Sequence, residues 1–183
     1  MKKLVFILLA ALSLMDLGAQ NTFVKGYVIT EKGDTVRGDV KLNAKKEIEL
    51  YTKLTFKDAT GAQKMYKPLK TKGYGYEQNH FITMQDSEGE MKFAKVLAVG
   101  PISLYKVGFE GLKMNTVVVE FEYYLVSEES NDKELIKENK YKRQLNEWMR
   151  DNVSFLEAND DKKFDEQKVI DIINQYNAWK RNK

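Results

Sequence analysis

Asn115–Val126, which reads Asn-Thr-Val-Val-Val-Glu-Phe-Glu-Tyr-Tyr-Leu-Val, constrains the fold more than any other stretch of the chain. β-Branched and aromatic residues dominate it and alternate in character, the pattern of a half-buried strand. Side chains alternate across a strand, so Val117, Val119, Phe121, Tyr123 and Leu125 share one face, and Val118, Glu120, Glu122, Tyr124 and Val126 share the other. The first face is almost purely apolar and is expected in a core. The second carries two carboxylates, which predicts an antiparallel sheet covered on one side.

Turn chemistry divides the chain before this strand into short extended pieces. Thr22–Thr30 and Thr35–Leu42 flank Glu31-Lys32-Gly33-Asp34 and predict a β-hairpin. Lys46–Tyr51, Leu54–Phe56 and Lys64–Tyr66 are expected as short strands, with a turn at Asp58-Ala59-Thr60-Gly61 and a stop at Pro68, which has no amide hydrogen for a ladder. Gly73-Tyr74-Gly75-Tyr76 leads into a strand from His80 to Met84. The turn Asp86-Ser87-Glu88-Gly89 joins that strand to Met91–Val99. Gly100-Pro101 bends the chain, Ile102–Gly108 resumes it, and Glu110-Gly111 is expected to turn it into Asn115–Val126.

After Ser127-Glu128-Glu129-Ser130 the apolar period changes from two to about 3.6. Leu135, Tyr141, Leu145, Trp148 and Met149 predict one helix face. Val153–Leu156 is a further apolar patch, and Val169, Ile172, Ile173, Tyr176 and Trp179 mark a second helix over about Asp165–Lys180. Strands first and helices last predict an α+β fold: seven to nine strands in a mostly antiparallel sheet, open or partly rolled, followed by two C-terminal amphipathic helices. The expected division is 1–19 as a signal peptide, 20–130 as the β part, and 131–183 as a helical pair on the same core.

The signal-peptide reading rests on Lys2 and Lys3, the apolar run Leu4–Leu14, and Gly18-Ala19 before Gln20. The run is shorter than the roughly 20 residues of a spanning helix, so no transmembrane segment is expected after cleavage. The chain has no cysteine, which removes disulfides, cysteine lipidation and thiol catalysis together. Its 30 basic and 27 acidic residues are interspersed, without the basic stripe of a nucleic-acid binder. Strands short of the 9 to 11 residues of a membrane barrel, and a charged helical end, argue against an outer-membrane barrel.

Candidate chemistry is sparse, and no cofactor or metal is expected. His80 is the only histidine, so common zinc sets cannot be assembled, and no Gly-x-Ser-x-Gly supplies a nucleophile for a triad through it. Glu120 and Glu122, roughly 7 Å apart on one strand face, are within range of a glycosidase pair; solvated carboxylates on the wet face are the competing reading. Tyr74, Tyr76 and Phe81, beside His80 and flanking glycines, offer an aromatic platform for sugar or peptide, against the alternative that they cover the core. Trp148 and Trp179 lie on apolar helix faces and are expected in the core. Asn159, Asp160, Asp161 and Asp165 lack the glycine and glutamate of a calcium loop.

Three segments, Gly-Tyr-Val-Ile-Thr-Glu-Lys-Gly-Asp-Thr-Val-Arg-Gly-Asp-Val at 26–40, Gly-Pro-Ile-Ser-Leu-Tyr at 100–105 and Gln-Tyr-Asn at 175–177, resemble uncharacterised exported envelope proteins of Bacteroidetes. The resemblance spans most of the chain after residue 19 and transfers no active site. It implies export to the periplasm or cell surface of a Gram-negative bacterium, as a free-standing domain. The expected function is non-enzymatic, binding or structural, with an envelope protein or a glycan as ligand. A glycan hydrolase using Glu120 and Glu122, and an accessory subunit or inhibitor in an envelope complex, are the alternatives. The oligomeric state is open.

Overall fold

The structure is a computed structural model that describes residues 22–43, 46–152, 154 and 163–183. Among these residues ten strands form one sheet: β1 (Thr22–Thr30), β2 (Thr35–Leu42), β3 (Leu54–Asp58), β4 (Gln63–Tyr66), β5 (Thr71–Tyr76), β6 (Asn79–Gln85), β7 (Met91–Ala98), β8 (Ile102–Lys113), β9 (Thr116–Ser127) and β10 (Lys133–Leu135). A single helical turn, α1 (Glu49–Thr52), follows β2, and α2 (Tyr141–Trp148) and α3 (Glu166–Arg181) follow β10. The sheet is open, in the order β10-β9-β8-β7-β6-β5-β1-β2-β3-β4, and antiparallel at its pairings. It is the expected α+β architecture with more strands: Thr71–Tyr76 is a full strand, and β10 comes from the segment 131–183 that was expected to be helical.

One face of the sheet carries two apolar clusters. In the first, the register aligns Val28 with Tyr74, Tyr74 with Phe81, and Val40 with Phe56. Tyr51 of α1 fills this cluster, its ring edge-on to Phe81 at 5.9 Å and to Phe121 at 5.8 Å. It lies so close to β8 that a Cβ at position 108 would come within 2.6 Å of it, which explains Gly108. In the second cluster, Leu104 and Leu125 face each other across β8 and β9 beneath Leu145 and Met149 and beneath the α3 stripe of Val169, Ile172, Ile173 and Tyr176.

α3 forms where local rules favour it. Asp165 caps the helix by accepting from the Lys168 amide at 2.9 Å, Glu166 sits in the first turn, and Lys180 and Arg181 sit in the last, where the helix dipole favours each sign. Its docking depends on Asn177, a buried side chain that donates to the Ile102 carbonyl at 2.7 Å and accepts from the Ile102 amide at 3.0 Å. Gly100 leaves room for it, since a Cβ there would meet the Asn177 side chain at 2.7 Å. The Gly-Pro-Ile and Gln-Tyr-Asn segments are therefore two halves of one joint. Unpairing a buried backbone group costs about 1–3 kcal/mol.

Four expectations are corrected. Lys46–Tyr51 is not a strand: its buried residues, Ile48 and Tyr51, are three apart, as one helical turn requires, and Glu49 pairs with Lys53 at 3.1 Å. Leu135 lies on β10 opposite Tyr124, and the helix begins only at Tyr141. The turn expected at Glu110-Gly111 falls instead at Met114-Asn115, because β8 runs on to Lys113. Val117 and Val119, expected in the core, are exposed. The expected signal segment 1–19 and the Asn159–Asp161 loop lie outside the described residues, as does all of the Val153–Leu156 patch except Ser154.

Candidate interaction surface

β8 and β9 pair without a break from Ile102 with Ser127 to Lys113 with Thr116. Their neighbours stop sooner. β7 pairs with β8 only from Lys106 to Leu104, and β10 pairs with β9 only at Tyr124, Leu125 and Val126. Beyond that point the hairpin leaves the sheet as a two-stranded ribbon. Met114 and Asn115 close it with φ of 49° and 64°, the left-handed pair of a two-residue turn that matches strand twist. Asparagine tolerates that region; at methionine it costs about 1–2 kcal/mol.

Four large apolar side chains stand in solvent on this ribbon: Leu112 is 81% exposed, Met114 95%, Val117 61% and Val119 42%. Leu112 faces Val117 across the pair, and Val117, Val119 and Phe121 lie along one face. Apolar residues scattered singly on a surface are ordinary, but a contiguous group on a projecting element marks a contact site.

A polar junction holds the root of the ribbon. The Lys106 ammonium sits 4.0 Å above the Phe121 ring and pairs with Glu166 of α3 at 2.9 Å. Glu166 also accepts from the Tyr123 hydroxyl at 2.5 Å. Burial pushes the Tyr123 hydroxyl well above the ordinary tyrosine range, and the bond to Glu166 adds to this. Burial alone would raise Glu166, but the Tyr123 and Lys106 bonds outweigh it and hold the carboxyl below its usual value. The ribbon is thus rooted in the first turn of α3 and in Tyr51, while its tip is free of both.

Glu120 and Glu122 lie on the opposite face of β9 and have different surroundings. Glu122 accepts from the Ser87 hydroxyl and amide, the latter at 3.3 Å, and from the Tyr124 hydroxyl, tying the 86–90 turn to β9. Glu120 lies over Gly111 in solvent. A cavity of ≈ 670 Å³ at the base of the ribbon is lined by Glu122, Phe109, Val119, Glu49 and Lys92, without Glu120. The two carboxylates therefore do not converge on that cavity.

Tyr74, Tyr76 and Phe81 are interior. Tyr74 stacks on Phe81 at 4.5 Å, meets Phe93 edge-on at 4.9 Å, and donates its hydroxyl to the Leu50 carbonyl at 2.6 Å. Tyr76 and Phe81 are buried beside it, so these rings fill the core between α1 and the sheet and present no platform. His80 is exposed on the other face, where its Nδ1 shares a 2.8 Å hydrogen bond with the Tyr27 hydroxyl. The structure brings the aromatic rings together and leaves His80 apart from them.

A second cavity, ≈ 800 Å³, lies between the start of β8 and the helices, with Glu134, Trp148, Asp151, Tyr176 and Lys180 in its wall. Two of its charged groups, Asp151 and Lys180, partner one another. Asp151 accepts from Lys180 and from the Tyr176 hydroxyl at 2.7 Å, and Lys180 holds its carboxyl below the usual range. Among the described residues no group of three or more His, Asp or Glu side chains is arranged to hold a metal ion, and no helix is long and apolar enough to cross a membrane.

The ribbon tip was missed by sequence reasoning because alternation marks a strand without saying what covers it. Asn115, beside the exposed Met114, was the available signal for the turn. Comparison with protein-family models, with curated proteins and with solved structures finds no match to this chain.

Proposed function

We propose that this protein is an exported, envelope-associated binding domain that works through contact rather than catalysis, with the Leu112–Val119 ribbon tip as its contact element. The observation that carries the reading is that apolar tip, rooted in the core at Phe121 and presented beyond it on a strained turn. A helix-covered sheet makes a rigid platform for such an element, and rigid presentation lowers the entropy lost on binding. Export is supported by the Lys2–Ala19 pattern.

Cell fractionation tests the compartment: the chain belongs in the envelope fraction, and its recovery from the cytosol overturns that half. Affinity capture from solubilised envelope tests the contact. The unaltered chain is expected to retain a stoichiometric partner, a second copy of itself included, that is lost from the Leu112→Ser/Met114→Ser/Val117→Ser variant. Equal capture by the two proteins removes the tip from the reading.

A further inference from the structure

The outer edge of β9 beyond Tyr123 carries backbone groups that the described fold leaves unpaired, and their direction is readable from the groups that are paired. The Ile136 amide donates to the Tyr123 carbonyl at 2.8 Å, and the Ser127 amide donates to the Asp132 carbonyl at 3.0 Å. Odd-numbered residues of β9 therefore turn their N–H and C=O toward the β10 side. An antiparallel strand alternates these directions, so Val117, Val119 and Phe121 present theirs at the same edge, where no described strand meets them. Along Val117–Phe121 this edge holds neither lysine nor proline, and its one charged side chain there, Glu120, lies on the face opposite Val117, Val119 and Phe121. The opposite edge of the sheet differs: β4 is four residues long, carries Lys64, and is followed by Lys67 and Pro68. Short, lysine-bearing, proline-stopped edges resist pairing, and long ones without lysine or proline invite it.

Resting on the reading of the ribbon as a contact element, we infer that its partner is a second copy of this chain, joined by antiparallel pairing of the two β9 edges about a two-fold axis at Val119. In that register Val119 faces its own twin and Val117 faces Phe121 of the other copy, so each outward-facing residue meets another and each pair exchanges two backbone hydrogen bonds. Glu120 then faces Val118 and Glu122 faces Thr116, and no two carboxylates oppose one another. Shifting the axis to Glu120 sets the two Glu120 side chains against each other and directs Val117 to Tyr123, whose carbonyl already serves Ile136. Shifting it to Val118 directs Phe121 into the turn at Asn115. The Val119 axis alone uses the whole edge. The result is an isologous interface with Val117, Val119 and Phe121 of both copies in one apolar row.

The chain contains no cysteine, so a single introduced thiol reports on this register. Hydrogen-bonded antiparallel pairs bring Cα atoms to about 5.5 Å, within disulfide reach. Val119→Cys is expected to give a covalent dimer on mild oxidation. Val117→Cys is expected to give none, because its twin lies four residues along, roughly 13 Å away. Equal cross-linking of both, or of neither, overturns the inference. Val119→Pro removes an outward N–H while leaving the bonds to β8, a placement proline accepts at an edge. Its circular dichroism is expected to match the parent, with self-association weakened about tenfold or more in sedimentation. An unaltered chain that stays monomeric while still capturing an envelope partner through the tip refutes the second copy and leaves the proposed function standing; loss of capture as well removes both.

Discussion

At the stem of the β8–β9 hairpin, Leu104 and Leu125 face each other with no exposed surface, whereas at its tip Leu112 and Val117 face each other in solvent. The two pairs share a strand register and a face. What separates them is the cover: Leu145, Met149 and Ile173 lie over the stem, and no described element lies over the tip. Burying one such side chain contributes about 1.5–3 kcal/mol, which the stem gains on folding and the tip does not. An amphipathic strand therefore states where a core is possible, and the neighbouring elements decide where one exists.

Substitutions at the two ends sharpen this contrast. Leu125→Ala opens a cavity under the helices and is expected to cost about 2–5 kcal/mol in denaturant unfolding; a loss under 1 kcal/mol would mean that the helices do not close over the stem. Asn177→Ala removes both bonds to Ile102 and is expected to cost about 2–3 kcal/mol, read as a lower Tm, with the loss concentrated where α3 meets β8. At the tip the direction reverses. Met114→Asn suits the left-handed backbone and is expected to stabilise the chain by about 0.5–1 kcal/mol, and an unchanged midpoint would argue against a strained turn. Val117→Thr, exposed and β-branched in both forms, is expected to change folding stability by less than about 0.5 kcal/mol while weakening self-association. A large folding defect there would place the tip in a core after all.

Residue patterns and their outcomes differ in an orderly way. Thr22–Thr30 and Thr35–Leu42 were legible to the residue because Gly33, at φ 98°, marks the turn between two clear alternations. Lys46–Tyr51 misled because in so short a run a period of two and a spacing of three coincide on apolar residues, and only the docking of Tyr51 against Gly108 selects the helical turn. Tyr74 and Tyr76 stood beside glycines, a feature shared by binding platforms and tight cores. The glycines here admit neighbours: at Gly75 a Cβ would meet the Tyr27 ring at 2.6 Å. The exposure of the tip was not legible at all, since Val117 and Val119 follow the same pattern as Leu125.

The amino-acid sequence by itself determined the first hairpin, the succession of a sheet by two C-terminal helices, the caps of α3, and a composition with one histidine and no cysteine, because turn chemistry, capping and composition act within a few residues. The tertiary structure alone decided that β7 and β10 stop short of the ribbon, that Asn177 joins α3 to Ile102, and that one half of a uniform apolar strand stays in water. These outcomes depend on which surfaces meet across the fold, and contacts between residues such as Asn177 and Ile102, 75 positions apart, leave no trace in local periodicity.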